Sequence, residues 1–405
     1  MPVRKKKGRA STDLDEAKAP ADDEALEPTV KRRKEGAAES EDIEEQPKSV
    51  KKTKTNAEKS IFPRSETPRS LEVANDKQFT AISWNVGGLR PTLEKRSHLL
   101  KLIISTECPD VLCLQETKLQ EKDLDWATQQ LADVAPGYTA SWNCSEDKKG
   151  YSGLVVLVKG GAAMQSAPST KKQTSIAGFF KAGKDKTDGA ETRPKEDSEC
   201  TAADKSSAAL PINISKGMGE KKHDGEGRIM TLEYDAFFLL FAYTPNSGDK
   251  LQRLSYRIEE WDTDLWDHLK ELEKRKPVLL AGDLNVAHLD ADIWNVEAKH
   301  IAKSAGTTPQ ERGSFSALLE KGYKDTFRHF HPEAHGCFTF WSVRAQNRPW
   351  NRGLRLDYFV ASNNLFADSI DGKQKSSPSM KDAWIMDEVV APQGDHCPVG
   401  ITLNL

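Results

Sequence analysis

The fold is set by one stretch, Pro-Val-Leu-Leu-Ala-Gly-Asp-Leu-Asn-Val-Ala-His at residues 277–288. An apolar run that is bounded by proline and followed at once by glycine, aspartate and asparagine predicts a buried strand, which delivers Asp283 and Asn285 to a sheet edge. The structural alternative is that these two side chains only cap the next turn. The rest of the chain decides between the two interpretations.

Further apolar segments repeat this pattern and alternate with helical periodicity. Strands are predicted at residues 79–84, 110–115, 153–159, 228–234, 237–243, 338–341, 355–361 and 398–403, and helices at 93–106, 251–274 and 310–321. Thr308 and Pro309 supply the cap and the first-turn residue of the last helix. The sequence therefore predicts an α/β fold, a four-layer sandwich in which two packed mixed β-sheets are flanked by helices.

Residues 1–77 precede this alternation and are predicted to form a disordered arm. The first 70 residues hold 17 Lys or Arg and 15 Asp or Glu but a single aromatic residue, Phe62, so the arm has little to bury. Basic clusters at residues 4–7 and 31–34 are typical of nuclear targeting signals bound by an import receptor, although such runs also occur in solvated tails. The sequence thus predicts a nuclear protein with a folded domain at residues 78–405.

The composition argues against several classes of protein. The net charge of −3 gives no global nucleic-acid signature, so any DNA-binding surface is a local patch. The six cysteines lack CxxC or Cys/His ligand spacing, which argues against a disulfide framework or structural zinc and favours a reducing compartment. No apolar run is long enough to cross a bilayer and nothing indicates an oligomer, so we expect no membrane partner and a monomer.

A polar segment at residues 160–212, rich in Ser, Ala, Lys, Gly and Thr, is predicted to be a disordered insertion within the folded domain. It contains one apolar cluster, Gln-Thr-Ser-Ile-Ala-Gly-Phe-Phe at residues 173–180. The spacing of Gln173, Ile176, Phe179 and Phe180 resembles the peptide with which proteins dock on the sliding clamp PCNA. The insertion is therefore predicted to dock a PCNA-like clamp, and a chance Phe-Phe pair in a linker is the alternative.

Polar side chains lie at the ends of several of the predicted strands. They are Asn85, Glu116, Asp283 with Asn285, Asp357, and Asp395 with His396. Each alone is compatible with a turn former, but so many polar endings on apolar strands indicate a shared site. A carboxylate such as Glu116 suits a hard cation such as Mg²⁺, a second carboxylate can deprotonate water, and a histidine paired with aspartate can donate to phosphate. This set of residues predicts metal-assisted phosphodiester hydrolysis.

Eight short motifs follow one another between residues 84 and 398. They are Trp-Asn-Val-Gly-Gly-Leu-Arg at 84–90, Leu-Cys-Leu-Gln-Glu-Thr-Lys at 112–118, Ala-Tyr-Thr-Pro-Asn at 242–246, Gly-Asp-Leu-Asn-Val-Ala-His at 282–288, Thr-Pro-Gln-Glu-Arg at 308–312, Phe-Thr-Phe-Trp at 338–341, Arg-Leu-Asp-Tyr-Phe at 355–359 and Asp-His-Cys-Pro at 395–398. In this order they resemble the apurinic/apyrimidinic (AP) endonucleases of the exonuclease III type. The resemblance covers residues 79–405 apart from the insertion, and it implies an endonuclease/exonuclease/phosphatase catalytic domain.

The resemblance implies a role for each polar residue. The implied metal ligands are Glu116, Asn85 and Asp395, for Mg²⁺ with Mn²⁺ as a substitute. The implied catalytic residues are Asp283, Asn285, His396, Tyr243 and Asp357. Asp283 would position and deprotonate the attacking water, and Asn285 would hydrogen-bond the water or the phosphate. His396, oriented by Asp357, would contact the scissile phosphate together with Tyr243.

The resemblance also implies a substrate, double-stranded DNA with abasic sites or blocked 3′ ends. The family cuts the phosphodiester 5′ to an abasic site and leaves a 3′-hydroxyl, and it also trims blocked 3′ ends and degrades DNA in the 3′ to 5′ direction. The implied substrate-binding residues are Phe340, Leu354, Leu356, Arg344, Asn246 and Trp341.

Three positions depart from the pattern of the family. Gly87 stands where an aspartate is common, which removes a carboxylate next to the metal. Leu354 stands where the pocket for the abasic sugar has an aromatic residue, which loosens that pocket. Asp249 stands where some relatives insert an arginine into DNA, and its negative charge repels phosphate.

The sequence leaves three other functions open. The first is a clamp-recruited 3′-end exonuclease with weak incision at abasic sites, and the second is a clamp-binding adaptor with weakened catalysis. The intact catalytic set argues against the adaptor, which needs none of these residues. The third keeps the fold but acts on a phosphoinositide, a sphingolipid or a poly(A) tail, and the motifs at 308–312 and 338–341 argue against it.

Overall fold

The computed structural model describes residues 60–69, 78–160, 210–366, 378–389 and 394–405. The strands in these ranges are β1 Gln78–Asn85, β2 Val111–Gln115, β3 Tyr138–Asn143, β4 Leu154–Lys159, β5 Asn213–Lys216, β6 Ile229–Glu233, β7 Phe238–Ala242, β8 Val278–Asp283, β9 Tyr323–Asp325, β10 Asp357–Ser362, β11 Ser379–Ile385 and β12 Val399–Asn404. The α-helices are α1 Leu89–Lys95, α2 Ser97–Glu107, α3 Leu124–Val134, α4 Lys221–Asp224, α5 Thr263–Glu273, α6 Pro309–Glu320 and α7 Thr326–Phe330.

The strands form two six-stranded sheets. Sheet 1 has the order β11-β12-β1-β2-β4-β3, and sheet 2 has the order β5-β6-β7-β8-β10-β9. Neighbouring strands pair antiparallel except for β1 with β2 and β7 with β8, which are parallel. Each sheet therefore has one parallel pair near its centre, and the prediction of two mixed sheets is confirmed.

A large apolar core lies between the two sheets. It includes Phe79 and Cys113 of sheet 1 and Met230 and Leu279 of sheet 2. A second cluster packs sheet 1 against α1, α2 and α3, and a third packs sheet 2 against α5 and α6. Each sheet thus buries one face against the other sheet and one face against helices, which confirms the predicted four-layer sandwich.

Three predicted elements differ from the structure. The helix predicted at 93–106 is two helices, α1 and α2, because the backbone of Arg96 (φ −132°, ψ 15°) leaves the helical region between them. The helix predicted at 251–274 begins only at residue 254 and contains a π-helical stretch, Tyr256–Asp262, before α5. The segment predicted as a strand at 338–341 forms none, because Phe340 makes isolated bridges to two different partners, Leu354 and His396.

Residues 60–69 correct the predicted extent of the disordered arm. Phe62 packs on Phe338 with ring centroids 5.6 Å apart, and its N–H donates to the carbonyl oxygen of Trp350 at 2.8 Å. Arg64 pairs with Asp387 at 2.9 Å. The aromatic residue of the arm does find a core to join, so the folded domain includes residues 60–69.

Other sequence predictions fall outside the described residues. The basic clusters at 4–7 and 31–34 and the apolar peptide at 173–180 are among them, so they stay predictions. Within the described ranges, no helix is long and apolar enough to cross a membrane.

Candidate active site

Polar residues from both sheets meet at one edge of the sandwich. Asn85 ends β1 and pairs with Gln115 at the end of the parallel strand β2. Asp283 ends β8 and lies opposite Asp357, the first residue of the antiparallel strand β10. The strand pairing therefore gathers polar residues from distant parts of the sequence at this edge.

Asp283 is held by contacts from both sheets. It is buried, and its Oδ2 accepts a hydrogen bond from Asn85 Nδ2 at 2.9 Å. Its N–H donates to Gln115 Oε1 at 3.0 Å, and Gln115 Nε2 donates to the carbonyl oxygen of Ala242 at 3.2 Å. A Cβ on Gly282 would lie 2.0 Å from that carbonyl oxygen, so only glycine permits the close approach. These contacts join the two sheets beneath the site and fix the Asp283 carboxylate.

His396 forms the second half of this cluster. It is buried, its Nδ1 lies 2.7 Å from Asp357 Oδ2, and its Nε2 lies 3.8 Å from Asp283 Oδ2. Trp84 Nε1 donates to the carbonyl oxygen of His396 at 3.2 Å, which fixes the histidine backbone. The other carboxylate oxygen of Asp357, Oδ1, is buried with no hydrogen-bond partner among the described residues. The pairing of His396 with Asp357 that the resemblance implied is present.

The surroundings displace two pKa values in this cluster. Burial raises the pKa of Asp283 to about 7; the His396 charge opposes this shift and the Asp357 charge adds to it. Burial disfavours the charged form of His396, but the carboxylates of Asp357 and Asp283 outweigh it and raise the pKa of His396 to about 10. At neutral pH the imidazole is therefore charged, and Asp283 can exchange a proton with little free-energy cost.

Two asparagines form a chain of amides beside Asp283. Asn285 has a left-handed backbone (φ 48°), and its N–H donates to Asp283 Oδ1 at 2.9 Å. Its Nδ2 donates to the carbonyl oxygen of Thr244 at 2.8 Å, and its Oδ1 accepts from Asn246 Nδ2 at 2.8 Å. These hydrogen bonds orient both side chains before any ligand binds.

The cluster opens into a cavity of about 670 Å³. The sequence-predicted residues that line it are Asn85, Glu116, Tyr243, Asn246, Asp283, Asn285, Phe340, Leu354, Leu356, Asp395 and His396. Phe340, Leu354 and Leu356 belong to one apolar cluster, and the Phe340 ring lies 5.0 Å from the His396 ring. One part of the cavity wall is therefore apolar and the adjoining part is charged. Such a cavity suits a ligand that has an apolar part next to a charged part.

The residues present suit a divalent cation. Potential ligand atoms of the buried Asp283, Asp357 and His396 lie within 4.8 Å of one another, but the charged imidazole of His396 has no lone pair for a metal, so this group offers only carboxylate oxygens. The predicted ligands Glu116, Asn85 and Asp395 line the same cavity. Glu116 Oε1 lies 3.0 Å from Lys118 Nζ, so the carboxylate of Glu116 forms an ion pair with the Lys118 ammonium. The orphaned oxygen of Asp357 and the mostly oxygen donors fit a hard ion, which makes this a possible acidic metal site.

Two predicted substrate residues do not line the cavity. Trp341 is 2 % exposed, and its Nε1 donates to Asn351 Oδ1 at 3.2 Å while Arg348 stacks on its ring. Trp341 therefore packs against the core between the sheets and lies outside this cavity, and its contact with substrate stays a prediction. Arg344 is exposed outside the lining, so its contact with DNA stays a prediction.

Sequence reasoning missed residues that support the site. Gln115 joins the sheets, Lys118 pairs with Glu116, and Arg228 donates to the carbonyl oxygen of Tyr243 at 2.9 Å. The sequence feature that could have indicated them is a polar residue at the end of an apolar run. A buried amide or guanidinium at such a place needs a hydrogen-bond partner. The sequence does not show which residue this hydrogen-bond partner is.

The three departures from the family pattern lie at this cavity or beside it. Asp249 and Leu354 line it. Gly87 has a left-handed backbone (φ 62°), and a Cβ there would lie 3.4 Å from Asp395 Oδ1. An aspartate at position 87 would therefore stand next to Asp395, so the glycine lowers the negative charge around the predicted metal ligands.

The chain matches a model of the endonuclease/exonuclease/phosphatase family over residues 82–373. It is 37% identical over 331 residues to a DNA-(apurinic or apyrimidinic site) endonuclease of Dictyostelium discoideum, with 82% of this chain and 72% of the relative covered. It is 34% identical over 324 residues to an exodeoxyribonuclease of Bacillus subtilis strain 168, with 80% and 99% covered. The crystal structure of the AP endonuclease LMAP from Leishmania major superposes with a TM-score of 0.61 and 27% identity, covering 82% of this chain and 90% of that one.

These matches agree with the eight sequence motifs and with the two packed sheets. The resemblance to AP endonucleases of the exonuclease III type is confirmed. The chain belongs to the endonuclease/exonuclease/phosphatase family.

Proposed function

We propose that this protein is a base-excision repair nuclease that hydrolyses the phosphodiester 5′ to an abasic site in DNA and leaves a 3′-hydroxyl. The division of the cavity supports this most strongly, because the buried Asp283 and His396 adjoin an apolar group that contains Phe340 and Leu356. The charged part suits a phosphate, and the apolar part suits a sugar that has lost its base. The similarity to AP endonucleases and exodeoxyribonucleases supports the same class of reaction.

The proposed chemistry uses the charge state of each residue. Asp283, with its raised pKa, positions and deprotonates the attacking water near neutral pH. His396, charged and oriented by Asp357, donates to the scissile phosphate. Burial and the charges of nearby carboxylates raise the pKa of Tyr243 well above its usual range, so its phenol stays neutral and donates to the same phosphate. The Asn285 amide hydrogen-bonds the water or the developing negative charge.

We propose Mg²⁺ as the cofactor, with Mn²⁺ as a substitute, held by Glu116, Asn85 and Asp395. When bound, the ion supplies Lewis-acid stabilisation of the charge that develops on the phosphate. Lys118 Nζ pairs with Glu116 at 3.0 Å and donates to the carbonyl oxygen of Gly87 at 2.9 Å. These two contacts hold the Lys118 ammonium between the Glu116 carboxylate and the backbone of Gly87 at this part of the cavity.

A second function, 3′-end processing by a clamp-recruited exonuclease with weak incision at abasic sites, is favoured by Asp249 and Leu354. Both line the cavity. A leucine in place of an aromatic residue packs less closely on the sugar, and the carboxylate repels a DNA backbone that continues past an internal lesion. A 3′ end places fewer phosphates near that carboxylate, so 3′-phosphodiesterase and 3′ to 5′ exonuclease activity accompany the proposed incision.

Cleavage of three duplexes tests the proposed function. One carries a single abasic-site analogue, one is intact, and one has a recessed 3′ end, and each is assayed with Mg²⁺ and with a chelator. We expect fast Mg²⁺-dependent incision at the lesion, no incision of the intact duplex, and slower Mg²⁺-dependent digestion of the recessed 3′ end. Strong digestion of the recessed end with weak incision would favour the second function, and activity in the chelator would contradict the cofactor.

Recruitment and localisation are proposed from the sequence. The peptide at 173–180 would bind a PCNA-like clamp, and the basic clusters at 4–7 and 31–34 would direct the protein to the nucleus. Replacement of Phe179 and Phe180 by alanine should abolish clamp binding and leave the cleavage of short oligonucleotides unchanged. A double variant that still binds the clamp would contradict the docking proposal.

A further inference from the structure

Arg228 lies behind Tyr243 and contacts it in three ways. It is 2 % exposed and directly precedes β6. Its Nη1 donates to the carbonyl oxygen of Tyr243 at 2.9 Å, and the Tyr243 N–H donates to the carbonyl oxygen of Arg228 at 2.9 Å. Its guanidinium carbon lies 4.6 Å from the centroid of the Tyr243 ring. One buried cation thus holds both the backbone and the ring of the tyrosine.

Neighbouring residues fix this guanidinium in turn. Arg228 Nε pairs with Glu226 Oε2 at 2.5 Å, and Arg228 Nη2 donates to the Tyr151 hydroxyl at 2.7 Å. Arg253 contacts the same two partners, Glu226 Oε1 at 2.7 Å and the Tyr151 hydroxyl at 2.9 Å. Two guanidiniums and one carboxylate leave one net positive charge beside Tyr243.

This arrangement favours an action of Arg228 through Tyr243 over a direct contact with DNA. Its Nε, Nη1 and Nη2 all have partners within the protein, and the side chain is buried. Tyr243, by contrast, lines the cavity together with Asp283 and His396. A cation over the ring face withdraws electron density from the phenol, which makes its O–H a stronger hydrogen-bond donor.

We propose that Arg228 is a positioning residue for phosphodiester hydrolysis, which fixes Tyr243 and strengthens the hydrogen bond that its phenol donates to the scissile phosphate. The inference deepens the proposed function and rests on the phosphate contact of Tyr243 within it. A purely structural role of the Arg228–Glu226 pair would instead change stability and leave the chemical step unaltered.

A double-mutant cycle in the full chain separates these possibilities. We expect Tyr243→Phe to lower kcat/KM on the abasic-site duplex by about 100-fold, as loss of one donor to a transition state does. Arg228→Met should cost about 10-fold in kcat when Tyr243 is present and less than about 2-fold in the Tyr243→Phe background, because the two residues act as a unit. Arg228→Lys keeps the charge without the fork, so it should recover part of the loss.

Arg275→Met is the matched control, because Arg275 also pairs with a glutamate, Glu233 at 2.6 Å, but is 58% exposed and lies outside the cavity lining. It should leave kcat/KM unchanged. The salt dependence of DNA binding gives a second readout. Arg228→Met should not alter the slope of log K against log salt, whereas loss of a direct phosphate contact reduces that slope by about one.

Two results would overturn the inference: a 10-fold loss that persists in the Tyr243→Phe background, or a reduced salt slope. Thermal unfolding checks that each variant folds. If Arg228→Met does not fold, Arg228→Lys replaces it in the double-mutant cycle. If the wild-type chain does not incise abasic DNA, the proposed function fails. The same cycle on the recessed 3′ end then still tests Arg228, because that substrate also presents a scissile phosphate.

Discussion

Arg355 and Asp357 lie two residues apart in one segment but belong to two different buried clusters of charged side chains. The two clusters differ in whether their positive and negative charges are equal in number. Arg355 pairs with Asp292 at 2.8 Å and with Asp325 at 2.6 Å, and Arg328 also pairs with Asp292. Two guanidiniums there face two carboxylates, so the charges cancel. The cluster is closed, because all four side chains are at most 9% exposed.

The cluster that contains Asp357 is unbalanced and opens into the cavity. When Asp283 is ionised, the two carboxylates of Asp283 and Asp357 exceed the charge of His396 by one negative charge, and one Asp357 oxygen has no partner in the described structure. The pKa of Asp283 is raised to about 7, whereas Asp292, despite burial, has its pKa lowered to about 2 by the charges of nearby arginines. Burial alone therefore does not mark a site; incomplete charge compensation beside a cavity does.

The largest expected effect comes from Asp283→Asn. The amide keeps the shape of the side chain but cannot accept a proton, so we expect incision to slow by about 10²–10⁴-fold, the usual contribution of a general base. Removal of an uncompensated charge should leave the thermal unfolding temperature unchanged or raised. Single-turnover incision of the abasic-site duplex and thermal unfolding measure the two effects.

Asp267→Asn provides the matched control for that substitution, because Asp267 is exposed on α5. It should leave both readouts unchanged. Near-normal incision by Asp283→Asn would contradict the water-activating role of Asp283. It would also contradict the assignment of catalysis to the cluster that opens into the cavity.

The second expected effect is the opposite one: a substitution at Asp292 should lower stability and leave the rate of incision nearly unchanged. Asp292→Asn leaves Arg355 and Arg328 with one carboxylate in a closed interior, so the free energy of unfolding should fall by about 3–5 kcal/mol, as when one partner of a buried pair is removed. Chemical denaturation measures this loss. At a temperature where the variant is folded, incision per folded molecule should change little; a large loss of rate with normal stability would show that the closed cluster also serves catalysis.

The sequence predicted the end of β8 well, because an apolar run that stops at Asp283 has a simple local cause. It did not predict β3, whose residues are mostly half-buried and lack a long apolar run. The contact between Asp283 and Gln115 joins residues 168 positions apart, so no local pattern encodes it. The position of Trp341 outside the cavity could not be predicted, because an aromatic residue beside a pocket motif can face the core as readily as the ligand.

The third expected effect is a pH profile that only the open cluster shapes. Asp283 must lose its proton to act as a base, so the rate should rise about 10-fold per pH unit up to about pH 7 and level off above it. His396 must keep its proton to donate, so the rate should fall as pH rises through about 10. Asp292 is ionised throughout this window, since its pKa is about 2.

Rate profiles of the wild type, His396→Asn and Asp292→Asn test this assignment. His396→Asn should lose the alkaline limb, and Asp292→Asn should retain both limbs at a temperature where it is folded. Loss of a limb in Asp292→Asn would show that the two clusters are electrostatically coupled, contrary to the comparison.

The smallest expected effect comes from Leu354→Phe, which changes the apolar part of the cavity and neither set of charges. Leu354 is half-buried and packs against the apolar cluster that includes Leu356. A larger ring should fit the abasic sugar more closely and raise discrimination against intact duplex by about 5-fold, or roughly 1 kcal/mol. Leu102→Phe on the exposed face of α2 is the control. An unchanged ratio of the two kcat/KM values would mean that selectivity resides in the charged cluster and the DNA-facing loops, because the apolar wall would then contribute packing alone.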